Sequence, residues 1–452
     1  MTAISENPLH AFAAWTAEAE ADWSAAALER AQNAFIDTIA VMIPGAREDV
    51  TQKVHSVATT WGAGNCTLVG FSERLSPPMA ALVNGTAAHA LDFDDDFDPA
   101  KAHPSASIVP ALLALADERG ATTARLLDAY IVGLQITGKV GQGVNPFHRS
   151  RGWHATSTVG TLGCAAACAR LLGLDKERTA HAISLSTSFA GGFMSQFGTM
   201  TKPLHAGLAA SGAVQAALLA EAGITAGENT LHGDKGMGTL MVGPDVEELR
   251  ALMANKDEFG QKVTFDAANV GSPLHIEKYG VKTKRFPNCG SIHRALDGLL
   301  DLQAEHGFAA SDVRDILVRA PAVLLRNLMY ENPTTPMEAR FSLEYSLAVG
   351  LFTGNATLED YEEEALGREG VRALMLLIRK EYIDELPSDF PTEVHITLKD
   401  GRRFHNSVAM AKGTIAAPLS DEQLWDKFEN CTGRFLDHEQ QEALRQILSN
   451  MK

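Results

Sequence analysis

LHAGLAASGAVQAALLA, residues 204–220, decides the fold. It contains no Asp, Glu, Lys or Arg and stops at Glu221. ATSTVGTLGCAAACA, residues 155–169, has the same character and stops at Arg170. Both are built from Ala, Gly, Ser and Thr rather than Leu, Ile and Phe. Both fall short of the roughly 20 strongly apolar residues that a membrane span needs. Side chains this small let helix axes approach closely, and Ala is the best helix former. The two stretches therefore predict buried helices in a tightly packed helical core.

The neighbouring sequence continues in this style. Apolar residues recur at spacings of three and four over Ala25–Met42, Met79–Leu91, Ser107–Ala116, Thr123–Val140, Thr158–Leu172, Lys176–Ala190, Leu204–Ala222 and Val246–Met253. Gly, Asn, Pro and Asp between them stop helices. After about Gly280 the pattern changes. VRDILVRA (313–320) is rich in β-branched residues, and TEVHITLKDGRRFHNSVAMA (392–411) alternates on either side of Asp400–Gly401, which predicts a hairpin. Helical patterns lie between, at Phe341–Phe352 and Gly370–Lys380, and return from Ser420 and from Asp437 to Ser449. The expected organisation is a helical domain over 1–280, an inserted α+β domain over 281–412, and a helical return over 413–452.

Composition bounds the function. Apolar residues are 45% and charged residues 21% of the 452, which is globular rather than disordered. The net charge of −17 disfavours nucleic acid and anionic membrane surfaces as partners. A small anionic substrate would need a local cluster of cations. The five cysteines include no CxxC pair, which argues against a disulfide framework, a zinc ribbon or most iron–sulfur sites. A reducing cytoplasmic location is the simplest expectation, and the acidic N-terminus does not read as a secretory signal.

No GxSxG, HExxH or P-loop pattern is present. Four polar blocks stand out instead. HALDFDDDFDPAKAHPS (89–105) puts Asp92, Asp94, Asp95, Asp96, Asp98 and His103 between two apolar helices. It reads equally as a solvated acidic turn or a functional loop, and clustered carboxylates also suit Mg²⁺ or Ca²⁺. GWHATSTVG (152–160) places His154 at a helix start, where the dipole keeps imidazole neutral and able to act as a base. The plain alternative is a surface histidine. FGTMTKPLHAG (197–207) puts Lys202 and His205 at the entry of another helix, where a cation opposes the dipole. KTKRFPNCGSIHRALDG (282–298) is a basic island, either a carboxylate site or a surface hinge.

Taken together, HALDFDD, HPS, GWHATSTVG, GTMTKPLHAG and KRFPNCGSIH, with ARFSLEYSLA (339–348) further on, resemble the MmgE/PrpD family. The resemblance implies a mainly α fold: a large all-helical domain with an inserted smaller α+β lid domain, usually a homodimer. It implies proton chemistry next to a carboxylate, with no metal or organic cofactor. Carried over from the family's decarboxylase branch, the catalytic set is His154, His103, Lys202 and Asp92. The substrate-binding set is Lys284, Arg285, Asp96, Cys289 and Tyr330. Asp96 stands where that branch has Thr, and Cys289 where it has His. The leading expectation is a lyase on a di- or tricarboxylate, most readily a 2-methylcitrate dehydratase-like dehydratase. The alternatives are an epimerase of an amino-dicarboxylate, similar to iminodisuccinate epimerase, and a non-catalytic metabolite-binding protein.

Overall fold

The computed structural model describes residues 7–243, 264–326, 328–383 and 390–452. The expected helix at Val246–Met253 lies outside the described residues. The chain divides into two compact units: residues 1–282 with 431–452, and residues 283–430. The sequence reading placed these boundaries at 280 and 412. The second boundary falls within the helix Asp421–Thr432.

The larger unit begins with ten helices: α1 (Pro8–Glu18), α2 (Ala25–Gly45), α3 (Asp49–Ala58), α4 (Pro77–His89), α5 (Ser105–Arg119), α6 (Thr123–Val144), α7 (Phe147–Ser150), α8 (Val159–Leu172), α9 (Lys176–Ser186) and α10 (Thr201–Glu221). Local chemistry sets several ends. Ser24, Thr122 and Asp175 accept from backbone N–H groups of the first turns of α2, α6 and α9. Gly120 and Gly173 adopt the left-handed conformation that closes α5 and α8. By length and composition α10 could cross a bilayer, but 72% of its most apolar window is buried inside the protein. It packs on α4, α8 and α9 as a core helix. The approach to α4 is backbone-close: a Cβ on Gly85 would stand 2.9 Å from the Cα of Gly207.

The expected fold class needs correction. The larger unit is not all-helical: β1 (Cys66–Thr67) and β2 (Arg74–Leu75) form an antiparallel pair within it. Two-residue strands carry no periodicity that could mark them in a sequence. The smaller unit holds a mixed sheet in the order β4–β3–β5–β6, from β3 (Val313–Pro321), β4 (Ile378–Ile383), β5 (Thr392–Leu398) and β6 (Arg403–Val408). With 56% helix and 10% strand in all, the chain combines helix and sheet in both units. The hairpin forms at Asp400–Gly401, where Gly401 takes φ 93° and the Asp400 carboxylate accepts from the Arg402 N–H at 3.0 Å. β4 is the other surprise. The pattern over Gly370–Lys380 reads as helix, but the helix is Glu369–Met375 and a strand running parallel to β3 follows. That pairing is made by distant chain, so local propensity does not show it. The helix Gly290–His306 covers β5 and β6, with Leu296, Leu299, Val394 and Ile396 in the core of this unit.

Candidate active site

The site of the larger unit is assembled by three helix ends. α4 delivers His89 at its last residue, and the acidic loop follows at once. α5 begins at Ser105, so the loop is held between two buried helices. α10 delivers Lys202 and His205 in its first two turns. The Gly85–Gly207 contact between α4 and α10 brings these ends together.

Lys202 donates to Asp92, and both are buried. Asp92 sits at φ 53°, a left-handed conformation that Asp tolerates better than most residues. Lys202 Nζ also lies 5.6 Å from the centroid of the Phe197 ring. His154 meets the same ring edge-on at 4.9 Å.

His103 donates from Nδ1 to the Asp95 carbonyl at 2.8 Å. A carbonyl only accepts, so the proton sits on Nδ1 and the neutral ring keeps its lone pair on Nε2. Carboxylate oxygens of Asp94 and Asp96 each lie 3.5 Å from that Nδ1. Their charge stabilises the ring when Nε2 takes up a proton. The His103 backbone N–H donates to Thr156 Oγ1 at 3.1 Å, tying the acidic loop to the His154 segment.

His154 is 3% exposed. Its Nδ1 and the Nδ1 of His205 are 2.9 Å apart, so one donates and the other accepts. Burial, helped by His89, Lys202 and His103, drives its pKa far below the ordinary histidine value. Burial also lowers that of His205. Both rings are neutral near pH 7.

His89 was missed by the sequence reading. Its Nδ1 donates to the Asp94 carboxylate, 2.8 and 3.0 Å from the two oxygens. Its ring lies 4.6 Å from that of His103 and 6.1 Å from that of His154. Burial pushes its pKa down to about 4, against the opposing pull of Asp94. Its Nε2 is buried and meets no hydrogen-bond partner among the described residues. In the sequence His89 reads as the end of an apolar helix. The spacing to Asp94 was the only available signal.

Asp92, His103, His154 and Lys202 thus lie in one cluster, with His89, Asp94 and His205 among them. Asp96 is at its edge: its side chain is 38% exposed and its backbone pairs with Lys282. His89, Asp94 and His103 offer three ligand atoms within 4.8 Å, a set that could hold a metal ion, although His89 and Asp94 already bind each other.

Lys284, Arg285, Cys289 and Tyr330 belong to the smaller unit. Lys284 is buried. Arg285 donates to Asp297 at 2.7 Å and stacks on Phe286, and Asp297 also accepts from the Lys412 N–H at 2.8 Å. Cys289 precedes the helix Gly290–His306, and its N–H donates to the Arg340 carbonyl at 2.9 Å. Tyr330 is half-buried.

Two models of one family match nearly the whole chain, including the helices that meet at this cluster. The model of the MmgE/PrpD N-terminal domain matches residues 10–249, and that of the MmgE/PrpD C-terminal domain matches residues 286–452. The chain belongs to the MmgE/PrpD family. It is similar to the cis-aconitate decarboxylase of Homo sapiens, 31% identical over 94% of this chain and 87% of that protein. The cis-aconitate decarboxylase of Mus musculus is 29% identical, covering 94% and 86%. That of Aspergillus terreus is 25% identical, covering 93% and 88%.

Proposed function

We propose that the protein is a lyase acting on a di- or tricarboxylate by proton transfer at a carbon beside a carboxylate. The family and its decarboxylase relatives support a lyase-type function on a carboxylate. The observation that carries the finer reading is His103: its proton is fixed on Nδ1, its Nε2 is the basic atom, and a buried Lys202–Asp92 pair stands in the same cluster.

In this reading His103 Nε2 takes a proton from the carbon next to a carboxylate. The C–H electron pair moves into that carboxylate as an enediolate, and the Lys202 ammonium stabilises the charge as it develops. Collapse of the enediolate expels the hydroxyl on the adjacent carbon, which takes the proton His103 gained and leaves as water, so one C–H and one C–O bond break while a C=C bond forms. Where CO₂ is the leaving group the roles reverse. The carboxylate C–C bond breaks first, and protonated His103 returns one proton to the resulting carbanion. The neutral His154–His205 pair relays a proton without adding charge. Roles for Lys284 and Tyr330 rest on the resemblance and that of Arg285 on its charge, while Cys289 stands where the decarboxylase branch has His.

The test is a screen of cis-aconitate, citrate, methylcitrate and amino-dicarboxylates in D₂O, followed by NMR. The reading expects a nitrogen-free tricarboxylate to lose CO₂ or water. Deuterium exchange into an amino-dicarboxylate without elimination makes the protein an epimerase. Binding without turnover makes it a metabolite-binding protein.

A further inference from the structure

Within the smaller unit, the outer face of the sheet carries a second cluster. Along β5, Val394, Ile396 and Leu398 are buried while Glu393, His395 and Thr397 face outward. β5 and β6 are antiparallel, and His395 is directly opposite His405. Residues so paired have Cβ atoms about 5 Å apart. Here the two rings stack with centroids 4.4 Å apart. Glu393, two residues before His395, is on the same face, with Oε2 3.3 Å from His395 Nε2. One ligand atom from each of the three lies within 4.8 Å of the others.

We propose that Glu393, His395 and His405 form a binding site for a late first-row divalent cation of the zinc type. Two imidazoles and one carboxylate are the donors that such ions prefer, whereas Mg²⁺ and Ca²⁺ seek all-oxygen sets. Three protein donors on one face leave the outward positions for water. The apparent obstacle is Arg319, which donates to Glu393 at 2.7 Å. It also donates to Glu381 at 3.1 Å, so it keeps a carboxylate partner if Glu393 turns to a cation. Both contacts on Glu393 fall on Oε2, which leaves Oε1 as the second donor atom. β6 is the edge strand of the sheet. A cation held by His395 and His405 would clip that edge to β5 and add stability by mass action.

The experiment titrates the untagged full-length chain with Zn²⁺ by isothermal calorimetry, with Mg²⁺ as control, and follows Tm in parallel. The expected result is one zinc per chain and a Tm that rises with Zn²⁺ but not Mg²⁺. His405→Ala, at an exposed position, should weaken binding by at least about tenfold, the smallest loss usual when even an outer partner of a metal ligand is removed. It should also abolish the Tm rise, and Glu393→Gln should weaken binding in the same direction. Zinc uptake unchanged by His405→Ala overturns the proposal. So does a single zinc whose binding is lost in Asp94→Asn instead, which would place it among the buried histidines of the larger unit.

Discussion

Gly85 and Gly207 meet where α4 crosses α10: the space a side chain on Gly85 would need is taken by the Gly207 backbone, and that on Gly207 by Leu82 and Thr86 of α4. A Cβ on Gly85 would come within 2.9 Å of the Gly207 Cα, and one on Gly207 would strike the Leu82 carbonyl oxygen. Backbone cannot yield as a side-chain tip can. The contact also brings the end of α4, with His89 as its last residue and Asp92 just beyond, to the start of α10, where Lys202 donates to Asp92. Gly207→Ala is therefore expected to lower stability by about 1–3 kcal/mol through overpacking. Gly191→Ala, where an added Cβ meets nothing within 4 Å, is the matched control and should change little. Urea midpoints of the two variants decide it, and equal midpoints would refute the close-contact account.

The Lys202–Asp92 pair is buried, so its halves are not independent. Lys202→Met takes the ammonium away from the buried Asp92 carboxylate and should cost about 3–5 kcal/mol, the usual loss when one partner of a buried pair is removed. Asp92→Asn tolerates φ 53° but leaves the ammonium unpaired. The double variant should recover part of either loss. A thermodynamic cycle measured by chemical denaturation reads this coupling, and strict additivity would mean that the two charges do not stabilise each other.

Much of the helical framework was legible because its signals are local. Gly120 and Gly173 end helices by their own conformational freedom, and Ser24 and Asp175 begin them with their own side chains. The hairpin at Asp400–Gly401 was legible for the same reason. β4 was not, because parallel pairing with β3 joins residues some 60 apart, as Ile316 with Ile378. The site divides in the same way. His103, His154 and Lys202 stand in conspicuous polar blocks. His89 looks like helix core until Asp94 folds back onto its Nδ1, and the meeting of His154 with His205 needs the tertiary approach of α10.

Stability should fall on acidification below the ordinary histidine range. His89, with a pKa near 4, and His154 and His205, also lowered, are held neutral in the folded chain. The unfolded chain binds their protons near pH 6.5, so it holds more protons than the folded one as pH drops through that value. Stability from these groups is complete above about pH 6.5 and is lost as pH falls toward about 4, where His89 protonates in the fold as well. For His89 alone the loss approaches about 3 kcal/mol at roughly 1.4 kcal/mol per pH unit. Tm measured from pH 7.5 to 4.5 should decline, and His89→Gln should flatten the decline. A Tm that rises on acidification would refute the neutral assignment.

Asp94 should matter to turnover through His103 rather than through substrate binding. Its carboxylate accepts from His89 and lies 3.5 Å from His103 Nδ1, so its charge faces the ring that is proposed to carry the proton. The Asp95 carbonyl, not Asp94, fixes which nitrogen of His103 is protonated. Asp94→Asn therefore removes charge while leaving the tautomer in place. The expected result is a lower kcat with KM nearly unchanged, and an acid limb of the pH–rate profile moved to lower pH. His103→Gln removes the proton acceptor outright and should cost about 10²–10⁴ in kcat. ¹⁵N NMR of the histidine rings checks the separation directly: His103 should keep its proton on Nδ1 in Asp94→Asn, while the His89 signal changes. If His103 switches tautomer, or if KM rises while kcat and the pH profile stay as they were, Asp94 acts on binding or on ring orientation and the electrostatic role is wrong.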